Sequence, residues 1–434
     1  AYLLSIAPIG ENVPVAGTKE HEFMNEEKYQ ERLKLIEDAV AFRPTSRVPV
    51  CPFISSVAQR LNGSSYRDLY YDHDRAGEAL LKFYDKYQPD AYMFSGFISG
   101  KSNEIAESNM IDWPGRPGTS VSDYSSHQVI EHEYMLADEY PELLSDFTGF
   151  MLRKYIPRAF PGLAGLSGVH FRFATILNTG LFGRAYAEPA LAAYEKLAEI
   201  GRLDREAQAK SAYYQSKLAE MGFPPFMTGA AEAPYDILGD YFRGTMGMFE
   251  DLIEREEDVE RACWMFADHQ IENLAYLKAP MPVKRVFFPL HKGMDGFINP
   301  DQYERLYLRP LMKVVDYLIS VGATPILYTE GKYDTRLEIL RDYLPKGKCI
   351  VHIESSDIVR AKQTVGTKAC LTGNLPIYLL EFGKKQEVID YCKFLIDTCA
   401  PGGGYIFDTD GSIENAKEEN LEAMFDTVFT YGKY

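Results

Sequence analysis

Short apolar runs alternate with longer amphipathic stretches along the chain from about residue 223 onward. The runs Arg285–Leu290, Pro325–Thr329 and Cys349–Glu354 have the length and β-branched or aromatic content of buried strands. The stretches between them have helical spacing, and Leu337 and Leu340, after an Asp334 cap, are expected to face inward. A strand–helix–strand order predicts parallel neighbours joined by right-handed crossovers.

The same rhythm extends over most of the chain. Further strands are predicted over Val48–Ile54, Ala91–Ser95, Phe226–Gly229, Ala369–Gly373 and Tyr405–Phe407. Helices are predicted near Glu26–Ala41, Gly77–Tyr87, 189–220, Asp258–Leu277, 299–322, Thr335–Tyr343, Asp357–Gln363, Gln386–Thr398 and Glu418–Tyr431. Such alternation predicts an α/β fold, a (β/α)8 TIM barrel. An open doubly wound sheet is the alternative, which the missing Gly-x-Gly-x-x-Gly turn after the first strand disfavours.

The 434 residues exceed a minimal barrel, so the prediction includes additions. Residues 1–45 are expected to form an N-terminal extension with one helix. Residues 46–434 are expected to form the barrel, with a helical and irregular insertion at about 100–225. Insertions of this kind cover an active rim or build a dimer contact, which leaves a homodimer open.

Composition narrows the class of protein. The net charge of −17 argues against a nucleic-acid partner, and no apolar run reaches the length of a membrane helix. The first residues, Ala1–Ser5, lack the basic region of a secretory signal. The six cysteines contain no Cys-x-x-Cys pair and lie in apolar surroundings, so we expect reduced core residues in a cytoplasmic protein.

In a barrel the active site lies at the carboxyl ends of the strands. Glu330 directly follows one apolar strand, and His352 and Glu354 lie on the next. A carboxylate and an imidazole on adjacent strand ends can hold a metal ion or perform acid–base chemistry. The same rule selects further residues that would converge on one pocket: His291, Asn374, Asp408 and Asp410.

Three other motifs give weaker signals. Asp236 and Arg243 are expected to form an ion pair at the rim, more in a structural than a functional role. Glu131–Tyr134 contains His132 between two glutamates but lacks the helical spacing of a zincin. Gly402–Gly404 has no following Lys-Ser or Lys-Thr, so a tight turn is favoured over a phosphate cradle.

Several stretches have the character of a known family: Arg47–Phe53, Glu133–Met135 with Ala137–Tyr140, Asp295–Phe297 after His291, Tyr328–Gly331 with Arg336–Glu338, Thr372–Asn374 and Gly402–Ile406. They resemble the uroporphyrinogen decarboxylase superfamily, especially its corrinoid-dependent methyltransferase branch, over about residues 45–434. The resemblance implies a (β/α)8 barrel, in agreement with the pattern.

Two departures from the family pattern shape the expected chemistry. Ser55–Ala58 stands where the decarboxylases carry a Gln-Ala-Gly-Arg type motif, so decarboxylation is disfavoured. Tyr328–Glu330 stands where thiol-methylating members carry His-x-Cys. The resemblance therefore implies a zinc site without thiolates, held by Glu330 and His352 with Glu354 or Asp410 as third ligand, which suits an oxygen donor.

The resemblance implies transfer of a methyl group from an aryl methyl ether to the Co(I) of a separate corrinoid protein, the first step of anaerobic O-demethylation. Glu330, His291 and Tyr328 are the expected catalytic residues. The expected substrate contacts are His132, Asp236, Arg243, Asn374 and Tyr405. The corrinoid is expected on a partner, because the chain has no Asp-x-His-x-x-Gly motif. A decarboxylase-like lyase, a methyltransferase with another donor or acceptor, and a non-catalytic corrinoid-binding barrel are the alternatives.

Overall fold

The inner wall of the molecule is a parallel sheet. The computed structural model describes residues 25–94, 96–171, 182 and 185–433. Six parallel strands follow one another in chain order, and a separate antiparallel pair lies in the insertion. The pair is β1 (Ile111–Asp112) and β2 (Gln128–Val129), and the parallel strands are β3 (Gly229–Ala230), β4 (Arg285–Leu290), β5 (Thr324–Thr329), β6 (Ile350–Ile353), β7 (Cys370–Thr372) and β8 (Tyr405–Ile406).

Helices alternate with these strands and fill the insertion. The α-helices are α1 (Glu26–Val40), α2 (Val57–Leu61), α3 (Asp68–Tyr71), α4 (His73–Tyr87), α5 (Gly100–Ala106), α6 (Tyr140–Ser145), α7 (Phe147–Phe150), α8 (Ile156–Ala159), α9 (Glu188–Glu220), α10 (Pro234–Asp236), α11 (Gly244–Glu254), α12 (Glu256–Asn273), α13 (Pro300–Gln302), α14 (Arg309–Ser320), α15 (Leu337–Tyr343), α16 (Ile358–Gln363), α17 (Ile377–Glu381), α18 (Lys385–Cys399) and α19 (Glu418–Tyr431). Met151–Tyr155, Ile237–Arg243 and Tyr303–Leu308 are π-helical. Ala137–Glu139, Pro161–Gly168, Ala275–Lys278 and Val365–Thr367 are 3-10 turns.

Two extended segments, residues 48–54 and 90–93, close the sheet into a barrel. The first joins β8, because Cys51 N–H donates to the Phe407 carbonyl at 3.0 Å and Phe407 N–H donates to that of Pro49 at 2.8 Å. The Asp90 N–H donates to the Val50 carbonyl at 2.8 Å, which joins the two segments. Phe226 N–H then donates to Tyr92, on the approach to β3. The ring of eight segments is the predicted (β/α)8 barrel.

Alternate residues of each strand fill the barrel interior, as the two-residue period of a strand requires. The register places Phe287, Ile326, Ile350 and Cys370 side by side across β4–β7. These residues form one buried cluster with Cys51, Phe53, Met93, Tyr328 and Ile406. Each such side chain contributes about 1.5–3 kcal/mol by leaving water. The same parity, continued beyond each strand, decides which later side chains point to the mouth.

Helix α1 closes the amino end of the barrel. Its residues Ile36, Ala39 and Val40 belong to the interior cluster. Arg32 donates to the Gly222 carbonyl at 2.9 Å, which connects the helix to the residues that lead into β3. The helix predicted in the N-terminal extension is therefore confirmed, and it is part of the core. The open end is the opposite one, where the strands finish.

Several predicted elements differ in detail. Ser95, the end of one predicted strand, lies outside the described residues, and 48–54 and 90–93 are held by isolated bridges. The predicted Asp334 cap is wrong: Arg336 precedes α15, and Asp334 instead accepts from the Asp357 N–H at 3.0 Å. Asn299 does cap its helix, with a reciprocal bond from Gln302. All six cysteines are buried and unbridged. Among the described helices, none has the length and hydropathy of a membrane span.

Candidate active site

A group of ionisable side chains lies where the interior-facing rows leave β3, β4 and β5. Ala230, Phe287 and Tyr328 face inward, so two-residue steps along the chain carry Glu232, His291 and Glu330 to the mouth. Asp410 continues the row of Ile406 in the same way. We call these four residues and the groups bonded to them the polar half of the mouth. The predicted convergence of strand-end residues is therefore seen for His291 and Glu330.

His291 lies between two carboxylates. Its Nδ1 is 2.7 Å from Asp240 Oδ2, and its Nε2 is 3.4 Å from Glu330 Oε2. Burial lowers the pKa of His291, but the bonds to Asp240 and Glu330 outweigh it and raise the pKa to about 11. Burial raises the pKa of Glu330, and the His291 charge more than reverses this shift. At neutral pH the three groups are an imidazolium held between two anions.

Asp236 and Lys292 hold this group in place. Asp236 accepts from the His291 and Lys292 N–H groups, each at 2.9 Å, and from the Tyr307 hydroxyl at 2.6 Å. Lys292 Nζ is 2.9 Å from Asp240 Oδ1. Asp236 and Asp240 are four residues apart on one helical face, which turns both toward His291. The four-residue spacing from Asp236 was a sequence signal for Asp240. The sequence prediction included neither Asp240 nor Lys292.

Glu232 is a third residue that the sequence reasoning missed. It is 5% exposed, its Oε1 accepts from the Tyr241 hydroxyl at 2.9 Å, and its Oε2 has no partner among the described residues. Burial, with the nearby Asp236 and Asp240 charges, raises the pKa of Glu232 to about 8 despite the opposing charge of His291. The predicted strand Phe226–Gly229 lay too early in the chain, so the inward position of Glu232 went unnoticed.

His352 and Tyr328 form the floor below the mouth. Their rings stack at 3.7 Å between centroids with 3° between planes. His352 Nδ1 is 2.9 Å from Thr372 Oγ1 and 3.3 Å from Asp408 Oδ2, and Nε2 is 3.2 Å from the Asp410 carbonyl oxygen. The buried Tyr328 hydroxyl has no hydrogen-bond partner among the described residues. It is therefore a polar group that a ligand on the floor can engage.

The four expected metal ligands do not form a metal site in this arrangement. Within the described residues, no group of three or more His, Cys, Asp or Glu side chains has metal-binding geometry. Both nitrogens of His352 have protein partners, Glu330 contacts His291, and Glu354 accepts from the Gly331 N–H. Asp410 accepts from the Ile377 N–H at 2.9 Å, and burial raises its pKa to about 6. The zinc remains a prediction.

Three expected substrate residues lie elsewhere than the sequence suggested. The prediction of an Asp236–Arg243 ion pair is wrong, because the fully buried Arg243 pairs with Asp251 and Glu133, each at 2.6 Å. Tyr405 faces the outer core, because its odd position opposes the inward Ile406, and its hydroxyl donates to the Gly373 carbonyl at 2.8 Å. His132 lies exposed on a loop, edge-on to Tyr134.

Asn374 lies between the floor and the rim. Its Nδ2 donates to the Glu354 carbonyl at 3.1 Å, which ties the ends of β6 and β7 together. Its Oδ1 is buried without a partner among the described residues. Asn374 therefore has a free acceptor close to the mouth, as its expected substrate role requires, and that role stays a prediction.

The other side of the mouth is mostly apolar. A small cavity lies beyond the ends of the first two extended segments and reaches the start of β3. We call its lining the apolar half of the mouth: Phe53, Ile54, Ser55, Gln59, Tyr66, Leu69, Tyr70, Leu80, Met93, Phe94, Gly96, Ile98 and Met227. Phe53 joins the two halves, because its ring meets that of Tyr328 edge-on at 5.6 Å. The apolar lining suits a flat hydrophobic group.

The fold and the site together define the class of this protein. It is a (β/α)8 barrel with charged groups at the carboxyl ends of its strands. The chain belongs to the uroporphyrinogen decarboxylase family, whose family model, "Uroporphyrinogen decarboxylase (URO-D)", matches residues 195–431, more than half of the chain. The match includes β3–β8 and thus the whole polar half. It confirms the resemblance seen in the sequence.

Solved structures share the fold. One is described as a methyltransferase from Methanosarcina mazei, with a TM-score of 0.58 and 13% sequence identity. The similarity covers 93% of this chain and 98% of that one. At this identity the comparison establishes the shared fold alone. A search of curated proteins finds no match.

Proposed function

We propose that this protein transfers a methyl group from an aryl methyl ether to the Co(I) centre of a separate corrinoid protein. The observation that carries the proposal is the His291 imidazolium, fixed by Asp240 and Glu330 at the mouth of a barrel that also holds an apolar cavity. A cation and an aromatic-lined cavity at one barrel mouth suit a reaction in which an uncharged aromatic ether becomes a phenolate. The family and the methyltransferase with the same fold agree with this class of reaction.

The difficult part of the reaction is the departure of the ether oxygen. Co(I) attacks the methyl carbon with its electron pair, the C–O bond breaks, and that bond's electrons remain on the oxygen. A phenol has a pKa of about 10, so the developing phenolate is a poor leaving group at neutral pH. A fixed cation in a partly desolvated site stabilises such charge, with a typical effect of 10²–10³ in rate per donor. Because burial and two carboxylates hold His291, it supplies this charge without reorganisation.

The two halves of the mouth would bind different parts of the donor. The apolar half would bind the ring, with Phe94 and Met93 against its faces or edges. The polar half would then face the methoxy oxygen, and the free Tyr328 hydroxyl lies on the floor between them. The corrinoid would approach from the open end of the barrel, carried by its own protein.

Zinc is the Lewis acid that the sequence resemblance implies, and when bound it would polarise the ether oxygen. The described residues show no ready ligand set, so we derive no step through it. Metal analysis of the purified protein, beside Glu330→Ala and His352→Ala, tests this expectation. One zinc per chain that is lost in both variants would establish the site. A metal-free protein that transfers methyl groups would remove zinc from the proposal.

The proposed reaction is tested with cob(I)alamin as acceptor and 2-methoxyphenol as donor, under anaerobic conditions. The expected result is loss of the Co(I) absorbance with formation of one methylcobalamin and one catechol per turnover. His291→Gln keeps the size of the side chain and removes its charge, so we expect a 10²–10³-fold lower rate. Glu338→Gln, which breaks an exposed pair with Arg360, is the control and should transfer normally.

The opposite outcomes are equally distinct. Methylation of cob(I)alamin by methanol or a methylamine, with none from any methoxyphenol, would replace the donor class. Release of CO₂ from an aromatic acid or a porphyrinogen, without methyl transfer, would favour the lyase alternative. Equal rates for the wild type and His291→Gln would remove the imidazolium from the mechanism.

A further inference from the structure

Glu232 is a buried carboxyl group for which the proposed reaction has so far found no use. It continues the inward row two residues beyond β3, and His291 directly follows the neighbouring strand β4. The Tyr241 hydroxyl, 2.9 Å from Oε1, is its hydrogen-bond partner within the described chain, and Oε2 is covered and unpaired. An ionised carboxylate in this position would leave one charged oxygen without a donor, which is costly in a buried site.

The charges around Glu232 favour its neutral form as well. The groups that face it are the carboxylates Asp236 and Asp240, the His291 ring and the Tyr241 hydroxyl. His291 and Lys292 pair with Asp240, and within the described residues no cation forms an ion pair with Glu232. Burial first, and the two aspartates next, raise its pKa to about 8. A carboxylic acid that keeps its proton at neutral pH is a group that enzymes use as a proton donor.

We propose that Glu232 is the acid that protonates the leaving oxygen, while His291 serves as a fixed cation. This inference rests on the proposed function and deepens it. Glu232 has the free Oε2, lies on the inward row and lies beside the cation that the departing oxygen would meet. Tyr241 is the one described residue that holds the carboxyl group, so the group can turn Oε2 toward a bound donor.

The relative acidities favour Glu232 over His291 for this role. A phenol has a pKa of about 10. The pKa of about 8 for Glu232 makes it a stronger acid than phenol, so the proton moves downhill to the phenolate oxygen. His291 lies between the Asp240 and Glu330 carboxylates, which both favour its protonated form, so we assign it the fixed charge. General acid catalysis of this kind typically contributes 10²–10⁴ in rate.

The step balances without a further reactant. The Co–C bond forms from the Co(I) electron pair, which oxidises cobalt to Co(III). The C–O bond breaks, and its electron pair stays on the aryl oxygen. The Glu232 Oε2–H proton moves to that oxygen, which gives a neutral phenol and the Glu232 carboxylate. After the phenol leaves, Glu232 takes a proton from water.

The test compares Glu232→Gln with wild type across a series of methoxybenzenes whose leaving phenols differ in acidity, from 4-methoxyphenol to 4-nitroanisole. Glutamine keeps the size and the hydrogen-bonding ability but cannot give up a proton. We expect a 10²–10⁴-fold loss for the least acidic leaving group and a loss below 10-fold for 4-nitroanisole, whose phenolate needs no proton. In a pH–rate profile, the activity of the wild type should fall above pH 8. This alkaline fall should be missing from the profile of Glu232→Gln.

A merely structural role would slow all donors equally and leave the alkaline fall in place, and this outcome would overturn the proposal. A second readout needs no activity: the infrared carbonyl band of a protonated carboxyl should be present at pH 7 in the wild type and missing in Glu232→Gln. Its absence from the wild type would also overturn the proposal. If wild type transfers no methyl group from any aryl ether while the band is present, the proposed function fails and so does the role of Glu232 in it.

Discussion

The two halves of the barrel mouth are built differently. The polar half stands on β3–β8, regular strands whose register fixes each side chain beside the next. The apolar half stands on residues 48–54 and 90–93, which isolated bridges hold in place, and on the loops that follow. Charged groups that act at a reacting atom need fixed positions, because electrostatic stabilisation depends on prior orientation. An apolar surface that holds a ring tolerates more variation.

This difference suggests how such a barrel changes its substrate. The family match covers residues 195–431, which contain the polar half, and the apolar half lies almost wholly before residue 195. The part of this chain that the family model matches therefore contains its charged groups. The donor would be selected by the part that lies outside the match. Changes on the two sides should accordingly have separate effects, on rate for the polar half and on binding for the apolar half.

Among the changes that test the difference between the two halves, Asp240→Asn should have the largest effect on rate. The change removes the anion 2.7 Å from His291 and so lowers the pKa of His291 from about 11 toward its ordinary value. If the pKa reached the ordinary value of 6.5, about 1% of the imidazolium would remain at pH 8.5, and we expect kcat to fall about 10²-fold below the wild type at that pH with KM little changed. Because the cation returns as the pH falls, activity should recover in part near pH 6.

The measurement is a pH–rate profile with 2-methoxyphenol and cob(I)alamin, beside Asp268→Asn. Asp268 pairs with Lys313 on the exposed surface, so its variant should retain the wild-type profile. If the rate of Asp240→Asn is reduced by the same factor at every pH, this would contradict the role of charge at His291.

Arg243→Met should affect stability and leave the chemistry of the polar half intact. Arg243 and Asp251 are both fully buried, so removal of the cation leaves a buried carboxylate with the Tyr140 hydroxyl and the partly exposed Arg255. Loss of one partner of such a pair costs about 3–5 kcal/mol. Urea unfolding measures this loss, and Lys313→Met, which breaks an exposed pair, should cost below about 1 kcal/mol. A large rise in KM at unchanged stability would restore the substrate role that the sequence suggested.

The sequence predicted the barrel well because its information is local. Apolar runs such as Ile350–Ile353 and the Asn299–Gln302 capping box carry their structure in a few neighbouring residues. His291 and Glu330 were found because each directly follows such a run. The segments 48–54 and 90–93 were placed for the same reason.

The partners of these residues were harder to predict, because they depend on register and on packing between distant elements. Arg243 meets Glu133 across 110 positions of sequence, and nothing local indicates that pair. Glu232 depends on a strand of two residues, where a shift of the strand end hides an inward position. Tyr405 shows the same sensitivity, since a one-residue change of parity moves a side chain from the mouth to the outer core.

Glu232→Gln should stabilise the protein at neutral and alkaline pH. The folded pKa of about 8 lies above the ordinary glutamate value of 4.5, so the folded state binds the proton more tightly than the unfolded state does. Wild-type stability therefore falls as the pH rises from about 4.5 to 8, and the cost reaches a few kcal/mol at the upper end. Glutamine has no proton to lose. Urea unfolding of both proteins at pH 4.5 and pH 8 should show equal stability at the lower pH and an advantage for Glu232→Gln at the higher pH.

The smallest expected effect belongs to the apolar half. Phe94 is half-buried in the wall of the cavity, and Phe94→Ala removes ring surface that would cover the donor. Loss of such contact costs about 1–2 kcal/mol, so KM for 2-methoxyphenol should rise about 5- to 30-fold while kcat stays within about twofold. Phe382→Ala is the matched control, because Phe382 is 72% exposed outside the cavity and its loss should change neither constant. Among the described residues, none of Glu232, His291, Glu330 and Asp410 lines the cavity with Phe94. A fall in kcat equal to the rise in KM would therefore show that ring position and leaving-group chemistry are coupled, and the division of the mouth into two separable halves would fail.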